Sequence, residues 1–234
     1  MQGQIMQGMK RYAIYHVPPP GPWADWAAAW LGWDAARGRS VAHPDCAGLP
    51  WSVASLTETP RRYGFHATLK APFRLAGGRA PQELHSACQA IATTAAPVLL
   101  SGLRLTRQGG FLALVPEGDV PALGDLAAAW VEGLDGFRAP ATASEIARRN
   151  PDRLNAHQRG LLDRWGYPWV MDQFRFHMTL TGNLPPEQAV AVHAAIAPVL
   201  MPLIPRPLVI ADICLCGEDA SGNFRILHRY PLTG

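Results

Sequence analysis

The chain states one pattern twice, and that repetition constrains its fold more than any single segment does. In the first passage a strand over Phe65 to Lys70 leads through Pro72 to a helix beginning near Pro81 and ending near Pro97. Two strands follow, Leu99 to Thr106 and Phe111 to Pro116, joined across Gln108-Gly109-Gly110. In the second passage a strand over Phe174 to Thr181 leads through Asn183 to a helix that starts at Pro185-Pro186 and ends near Pro202. Strands Leu208 to Leu215 and Phe224 to Tyr230 follow, joined across Asp219-Ala220-Ser221-Gly222. The glycine-bearing connections read as hairpins. His66 precedes Phe111 by 45 positions and His177 precedes Phe224 by 47, so the spacing repeats as well. Two such units bury a shared core and face each other about a pseudo-twofold axis.

Ahead of the repeat, Arg11 to Val17 reads as a strand stopped by Pro18-Pro19-Pro20. Pro22 and the Trp/Ala-rich run Trp23 to Ala36 read as a helix ending near Gly38, with irregular chain over 39–60. Between the two passages lies a helical insert over 119–172. Its first helix, Asp119 to Phe137, carries Leu123, Leu126, Ala127 and Trp130 on one side. Thr142 and Glu145 form a capping-box start for a short helix through Arg149. Asn155 caps another helix running to Trp165, closed by Gly166 and Pro168. The expected organisation is one bilobal domain over 1–234, with halves at 11–118 and 173–234. The insert either decorates the repeat or covers its cleft.

Side chains alternate along a strand, so positions two apart share a face. Phe65, Ala67 and Leu69 then form one stripe and His66, Thr68 and Lys70 the other. In the second strand Phe174, Phe176, Met178 and Leu180 oppose Arg175, His177, Thr179 and Thr181. Each strand sends an apolar stripe into the core and a hydrogen-bonding stripe into a cleft. One His-x-Thr triplet is commonplace at a sheet surface. The same triplet opening both copies of a repeat brings two imidazoles to one site.

Such a pair suits phosphodiester hydrolysis, which needs a base to activate water and an acid to protonate the departing oxygen. Histidine titrates near neutrality and can supply both. The hydroxyls of Thr68 and Thr179 can bind non-bridging phosphate oxygens. A cation such as Lys70 or Arg175, both placed on the polar stripe by alternation, would stabilise charge building on phosphorus. No metal or other cofactor is required. Tyr63 and Tyr15 either line this cleft or serve in packing.

Other classes find less support. The 21 basic and 18 acidic residues give a net charge of +3, small for a nucleic-acid footprint. Arg61-Arg62 and Arg148-Arg149 are two-residue runs that read as solvated surface. Cys46, Cys88, Cys214 and Cys216 lack metal or disulfide spacing, and Cys214-x-Cys216 reads as two side chains on one strand face. His16, His43, His85, His157, His193 and His228 form no metal-ligand pattern. His85 and His193 are expected on the outer faces of the repeat helices. No Gly-rich loop ending in Lys-Ser/Thr and no Gly-x-Ser-x-Gly elbow occurs. No window is apolar enough to span a bilayer, and Met1 to Met9 lacks the apolar stretch of a secretory signal, so the cytoplasm is expected.

Tyr63 to Phe73, around His66-Ala67-Thr68, and Phe174 to Gly182, around His177-Met178-Thr179, resemble the paired motifs of the two-histidine (2H) phosphoesterase superfamily. They resemble more narrowly its branch associated with bacterial phosphonate catabolism operons. The resemblance implies an α+β fold, a bilobal duplicated architecture of mainly antiparallel sheets flanking a central cleft. It also implies that His66 and His177 are the acid–base pair and Thr68 and Thr179 phosphate ligands. The activity it implies is opening of a cyclic phosphate on a small ribose-phosphate or nucleotide-like substrate. RNA ends bearing a cyclic phosphate, and binding of a phosphorylated metabolite without cleavage, are the alternatives.

Overall fold

The computed structural model describes residues 6, 8–46 and 48–234, so most of the segment read for a secretory signal lies outside the described residues. In chain order the strands are β1 (Tyr12–His16), β2 (Trp33–Asp34), β3 (Arg39–Ser40), β4 (Ala67–Phe73), β5 (Val98–Leu100) and β6 (Leu103–Gln108). They continue as β7 (Phe111–Pro116), β8 (Met178–Thr179), β9 (Leu208–Ile210), β10 (Asp212–Glu218) and β11 (Phe224–Pro231). The helices are α1 (Pro22–Leu31), α2 (Val53–Leu56), α3 (Glu58–Arg61), α4 (Pro81–Thr94), α5 (Pro121–Gly133), α6 (Ala143–Ala147), α7 (Ala156–Trp165) and α8 (Pro186–Leu200).

Seven strands form one antiparallel sheet in the order β11-β10-β1-β4-β8-β7-β6. Two short antiparallel ribbons, β2-β3 and β5-β9, complete an α+β fold. Where the two passages touch, equivalent residues pair with each other. Ala67 lies opposite Met178, the middle residues of the two His-x-Thr triplets. In the β5-β9 ribbon Leu99 lies opposite Val209, flanked by Val98–Ile210 and Leu100–Leu208. A local twofold relation demands this pairing of like with like. The hairpins cross over: β6-β7, from the first passage, extends the sheet beyond β8 of the second.

The buried stripe of the central strands, Ala67, Leu69, Met178 and Leu180, enters a core with Leu84 and Cys88 of α4, Trp130 of α5 and Val192 and Ile196 of α8. Helix α5 packs on β4, α4 on β10 and β11, and α8 on β6 and β7. Burying one large apolar side chain stabilises by roughly 1.5–3 kcal/mol, so these helices hold the sheet's inner face firmly. His85 on α4 turns inward, contrary to an outer-face reading, because α4 packs on β11 and its Nδ1 meets the Tyr230 hydroxyl at 2.7 Å.

Several boundaries differ from those read in the sequence. Helix α1 stops at Leu31, not Ala36, because Gly32 adopts a left-handed φ of 79° and closes it with bonds to the Ala28 and Ala29 carbonyls. Each strand following a repeat helix is two strands, broken at Ser101-Gly102 and again at Ala211, so each copy contributes to both the ribbon and the main sheet. Strand β8 has only two residues. Beyond it the Thr181 hydroxyl, rather than a main-chain carbonyl, accepts the Leu112 N–H at 2.9 Å.

Candidate active site

The site is built on the register of β4 against β8. With Ala67 opposite Met178 in an antiparallel pair, His66 comes opposite Thr179 and Thr68 opposite His177. All four point away from the buried Ala67 and Met178, because alternation sends neighbours to opposite faces. Facing Cβ atoms in such a pair lie about 4.5–5.5 Å apart, so each imidazole sits beside the other motif's hydroxyl. The four line one cavity of about 740 Å³, a volume suited to a small metabolite.

The two histidines share a tautomer. The Nδ1–H of His66 donates to the Gly64 carbonyl at 2.9 Å, and that of His177 donates to the Arg175 carbonyl at 2.8 Å. A carbonyl can only accept, so in the neutral rings Nε2 carries the lone pair. Their surroundings differ. The His66 ring stacks on buried Tyr15 with centroids 3.8 Å apart, has Tyr63 at 6.1 Å, and accepts the Thr68 hydroxyl on Nε2 at 3.1 Å. Burial pushes its pKa down to about 4; the Gly64 carbonyl pulls the other way, and charge on His177 adds to the lowering. That last influence places the two imidazoles within electrostatic reach. His177 has Phe111 beside it at 5.8 Å and lines a second, adjoining cavity with Trp169 and Arg104.

Among the other residues expected here, Tyr15 and Tyr63 line the cavity, as does Thr181. Lys70 does not. Its Nζ is buried beneath α5, donating to the Val131 carbonyl at 2.9 Å with Asp135 at 3.9 Å, and burial lowers its pKa to about 8. The cause is a register shift: Tyr15 pairs with Thr68 but Ile14 with Lys70, so one step on β1 spans two on β4 and the alternation breaks there. Arg175 is also absent from this lining, although it lines the adjoining cavity that His177 shares. It precedes the two-residue β8, where no ladder enforces alternation, and its guanidinium folds back onto the Asp172 and Phe174 carbonyls at 2.9 and 2.6 Å.

The insert contributes what those two cations do not. Arg138, Glu145, Arg148, Arg149 and Tyr167 line the cavity from the segment around α6 and α7, so the insert covers the cleft. Thr142 and Glu145 close their capping box as the sequence suggests, and Glu145 also takes Arg74 at 3.1 Å on each oxygen. Arg62, Arg148 and Arg149, read in sequence as solvated surface, all line the cavity, whereas Arg61 turns inward to the Leu31 carbonyl at 3.1 Å. Only tertiary placement separates these arginines from surface ones; the pairs themselves carry no such signal. Among the described residues no group of three or more His, Cys, Asp or Glu is placed to hold a metal ion. No helix of the described residues is long and apolar enough to cross a membrane.

A family described as "Protein of unknown function (DUF1045)" matches residues 68–225, more than half of the chain. The chain belongs to the DUF1045 family. The match takes in Thr68, His177 and Thr179 as well as the whole insert. Two curated proteins similar to this DUF1045 chain carry the name ribose 1,5-bisphosphate phosphokinase PhnN. One, from Janthinobacterium sp. (strain Marseille), is 39% identical over 239 residues, covering 97% of this chain and 52% of that protein. The other, from Laribacter hongkongensis (strain HLHK9), is 38% identical over 178 residues, covering 74% and 40%. The chain therefore spans about half the length or less of these curated relatives. Among solved structures, one described as a phosphoesterase and one protein of Thermus thermophilus align over 96% of this chain and 99% and 98% of theirs. At 15% identity and a TM-score of 0.43, that likeness decides neither fold nor function.

Proposed function

We propose that this DUF1045 protein is a metal-independent phosphoesterase of two-histidine type that opens a cyclic phosphodiester on a small ribose phosphate. The observation that carries the reading is the pairing of Ala67 with Met178, which sets His66, Thr68, His177 and Thr179 around one cavity. Their shared tautomer leaves the Nε2 lone pair, rather than an N–H, on the far side of each neutral ring.

In the proposed reaction His66 is the base. Its depressed pKa keeps it neutral at pH 7, and Nε2 takes a proton from the attacking water as the new P–O bond forms. His177, protonated at Nε2, gives that proton to the sugar oxygen as the ester P–O bond breaks. One water is consumed, and the product is a phosphomonoester beside a free hydroxyl. The proton on His66 then passes to solvent and His177 is reprotonated. Thr68 and Thr179 donate to the non-bridging oxygens. The Thr68 hydroxyl that caps His66 swings to phosphate on binding, which frees Nε2 for water.

The ribose phosphate is supported by the name of the relatives, which refers to ribose 1,5-bisphosphate. The kinase activity in that name belongs to proteins longer than this chain, which has no Gly-rich loop ending in Lys-Ser/Thr with which to cradle a nucleotide triphosphate. A role in phosphonate breakdown is what the resemblance of the two motif segments implies.

The test is hydrolysis of a panel of cyclic phosphates by purified protein in EDTA. His66→Ala and His177→Ala should each lower kcat by about a hundredfold to ten-thousandfold with the circular dichroism spectrum unchanged. Full activity in both folded variants would sink the reading.

A further inference from the structure

The cavity holds more positive charge than one phosphodiester calls for. Six arginines line it (Arg11, Arg62, Arg74, Arg138, Arg148 and Arg149) against a single carboxylate, Glu145. Three are matched within the fold: Arg11 by Glu218 at 2.5 and 3.0 Å, Arg74 by Glu145 at 3.1 Å, and Arg138 by Asp135 at 2.9 Å. Among the described residues Arg62, Arg148 and Arg149 have no carboxylate within ion-pair distance.

These three are held ready rather than left loose. Arg62 lies over the Tyr63 ring at 4.8 Å and donates to its hydroxyl at 2.8 Å. Arg149 lies over the Tyr167 ring at 4.7 Å, and the Nε–H of Arg148 donates to the Ser144 carbonyl at 3.2 Å. An aromatic face fixes a guanidinium's plane and leaves its N–H edge free for an anion. Both tyrosines line the same cavity. Burial raises the Tyr167 hydroxyl's pKa, Arg149 opposes that rise and the Tyr63 phenol adds to it, so the two tyrosines are electrostatic neighbours across the cleft. A guanidinium has five N–H donors, and among the described residues most of these find no acceptor.

We infer that Arg62 and Arg149, braced on Tyr63 and Tyr167, form with Arg148 a second anion subsite that takes a phosphomonoester carried by the substrate in addition to its scissile cyclic diester. The inference rests on the proposed reaction for its first phosphate and on these three arginines for its second. A phosphomonoester carries nearly two negative charges at neutral pH and offers three acceptor oxygens, which suits several guanidinium forks better than a carboxylate or a neutral sugar would. Two of the three arginines come from the insert. That segment is therefore the specificity element that selects doubly phosphorylated substrates.

The experiment compares ribose cyclic phosphate with the same compound bearing a second phosphate on its primary hydroxyl. Wild-type protein should prefer the second in kcat/KM by roughly tenfold to hundredfold, and in the Arg148→Ala/Arg149→Ala variant that ratio should collapse toward one. Wild type that treats the two alike, or a variant that keeps the full ratio, overturns the subsite. Calorimetric binding of ribose 5-phosphate separates this from the reaction itself. Arg148→Ala/Arg149→Ala, with a wild-type circular dichroism spectrum, should weaken that binding by at least about tenfold. If turnover is never seen but this loss is, the reaction is wrong and the subsite stands; if the loss is missing, the subsite falls.

Discussion

The two His-x-Thr strands start from the same triplet and end in different surroundings. His66 sits at the head of a seven-residue strand, stacked on buried Tyr15, capped by Thr68, and pushed by burial to a pKa of about 4. His177 sits before a two-residue strand, beside Phe111, at the boundary of two cavities. Duplication sets where the imidazoles stand; what has been packed around each since then sets what it can do. The buried ring is suited to accept a proton and the more open one to deliver it.

The sharpest way to break that comparison is to change the leaving group. A nitrophenyl ester departs as nitrophenolate without needing a proton, so His177→Ala should recover on a nitrophenyl phosphodiester most of the hundredfold or greater loss expected with a sugar ester. His66→Ala should recover none. The opposite pattern in steady-state assays would reverse the roles.

The next effect is on stability. His66 and His16 are both pushed down to about 4 from an unfolded value of 6.5, in each case chiefly by burial. Above pH 6.5 neither the folded nor the unfolded chain binds these protons, so the stabilisation is fully present there. Between 6.5 and 4 the unfolded chain binds them first, and stability falls with pH. The fully buried His16, whose Nε2 has no hydrogen-bond partner among the described residues, should account for about 3 kcal/mol of that loss. Urea unfolding at pH 7 and pH 4.5 measures it, and His16→Leu should flatten the slope; a slope unchanged in that variant would refute the assignment. The smallest effect is expected at Lys70, which lies outside the cleft: Lys70→Met should leave kcat/KM within about twofold. A large loss there would restore the alternation that the register shift removes.

Much of the fold could be read from residues alone because it rests on local periodicity: the hairpins at Gly109-Gly110 and Gly222, the capping box at Thr142, the N-cap at Asn155, and the spacing of the two triplets. What escaped depends on neighbours that a strand's own sequence does not name. The matching breaks at Gly102 and Ala211 reflect two sheets competing for one segment. Lys70 turned away because β1 slips one position against β4. Arg62, Arg148 and Arg149 look like any exposed pair until a fold closes a cavity over them. The repeat and its hairpins followed from the pattern, and the antiparallel α+β architecture from the resemblance of the two motifs, whereas the charge lining the cleft followed from neither.

The buried Thr181 hydroxyl, which takes the Leu112 N–H and returns its own proton to the Gly182 carbonyl at 2.9 Å, is a latch for the whole constellation. A strand as short as β8 offers little resistance to sliding, and a slide of one position would turn both His177 and Thr179 into the apolar interior. By spending a side chain where a main-chain rung is missing, the protein insures its reactive pair against misalignment at the point of least backbone support.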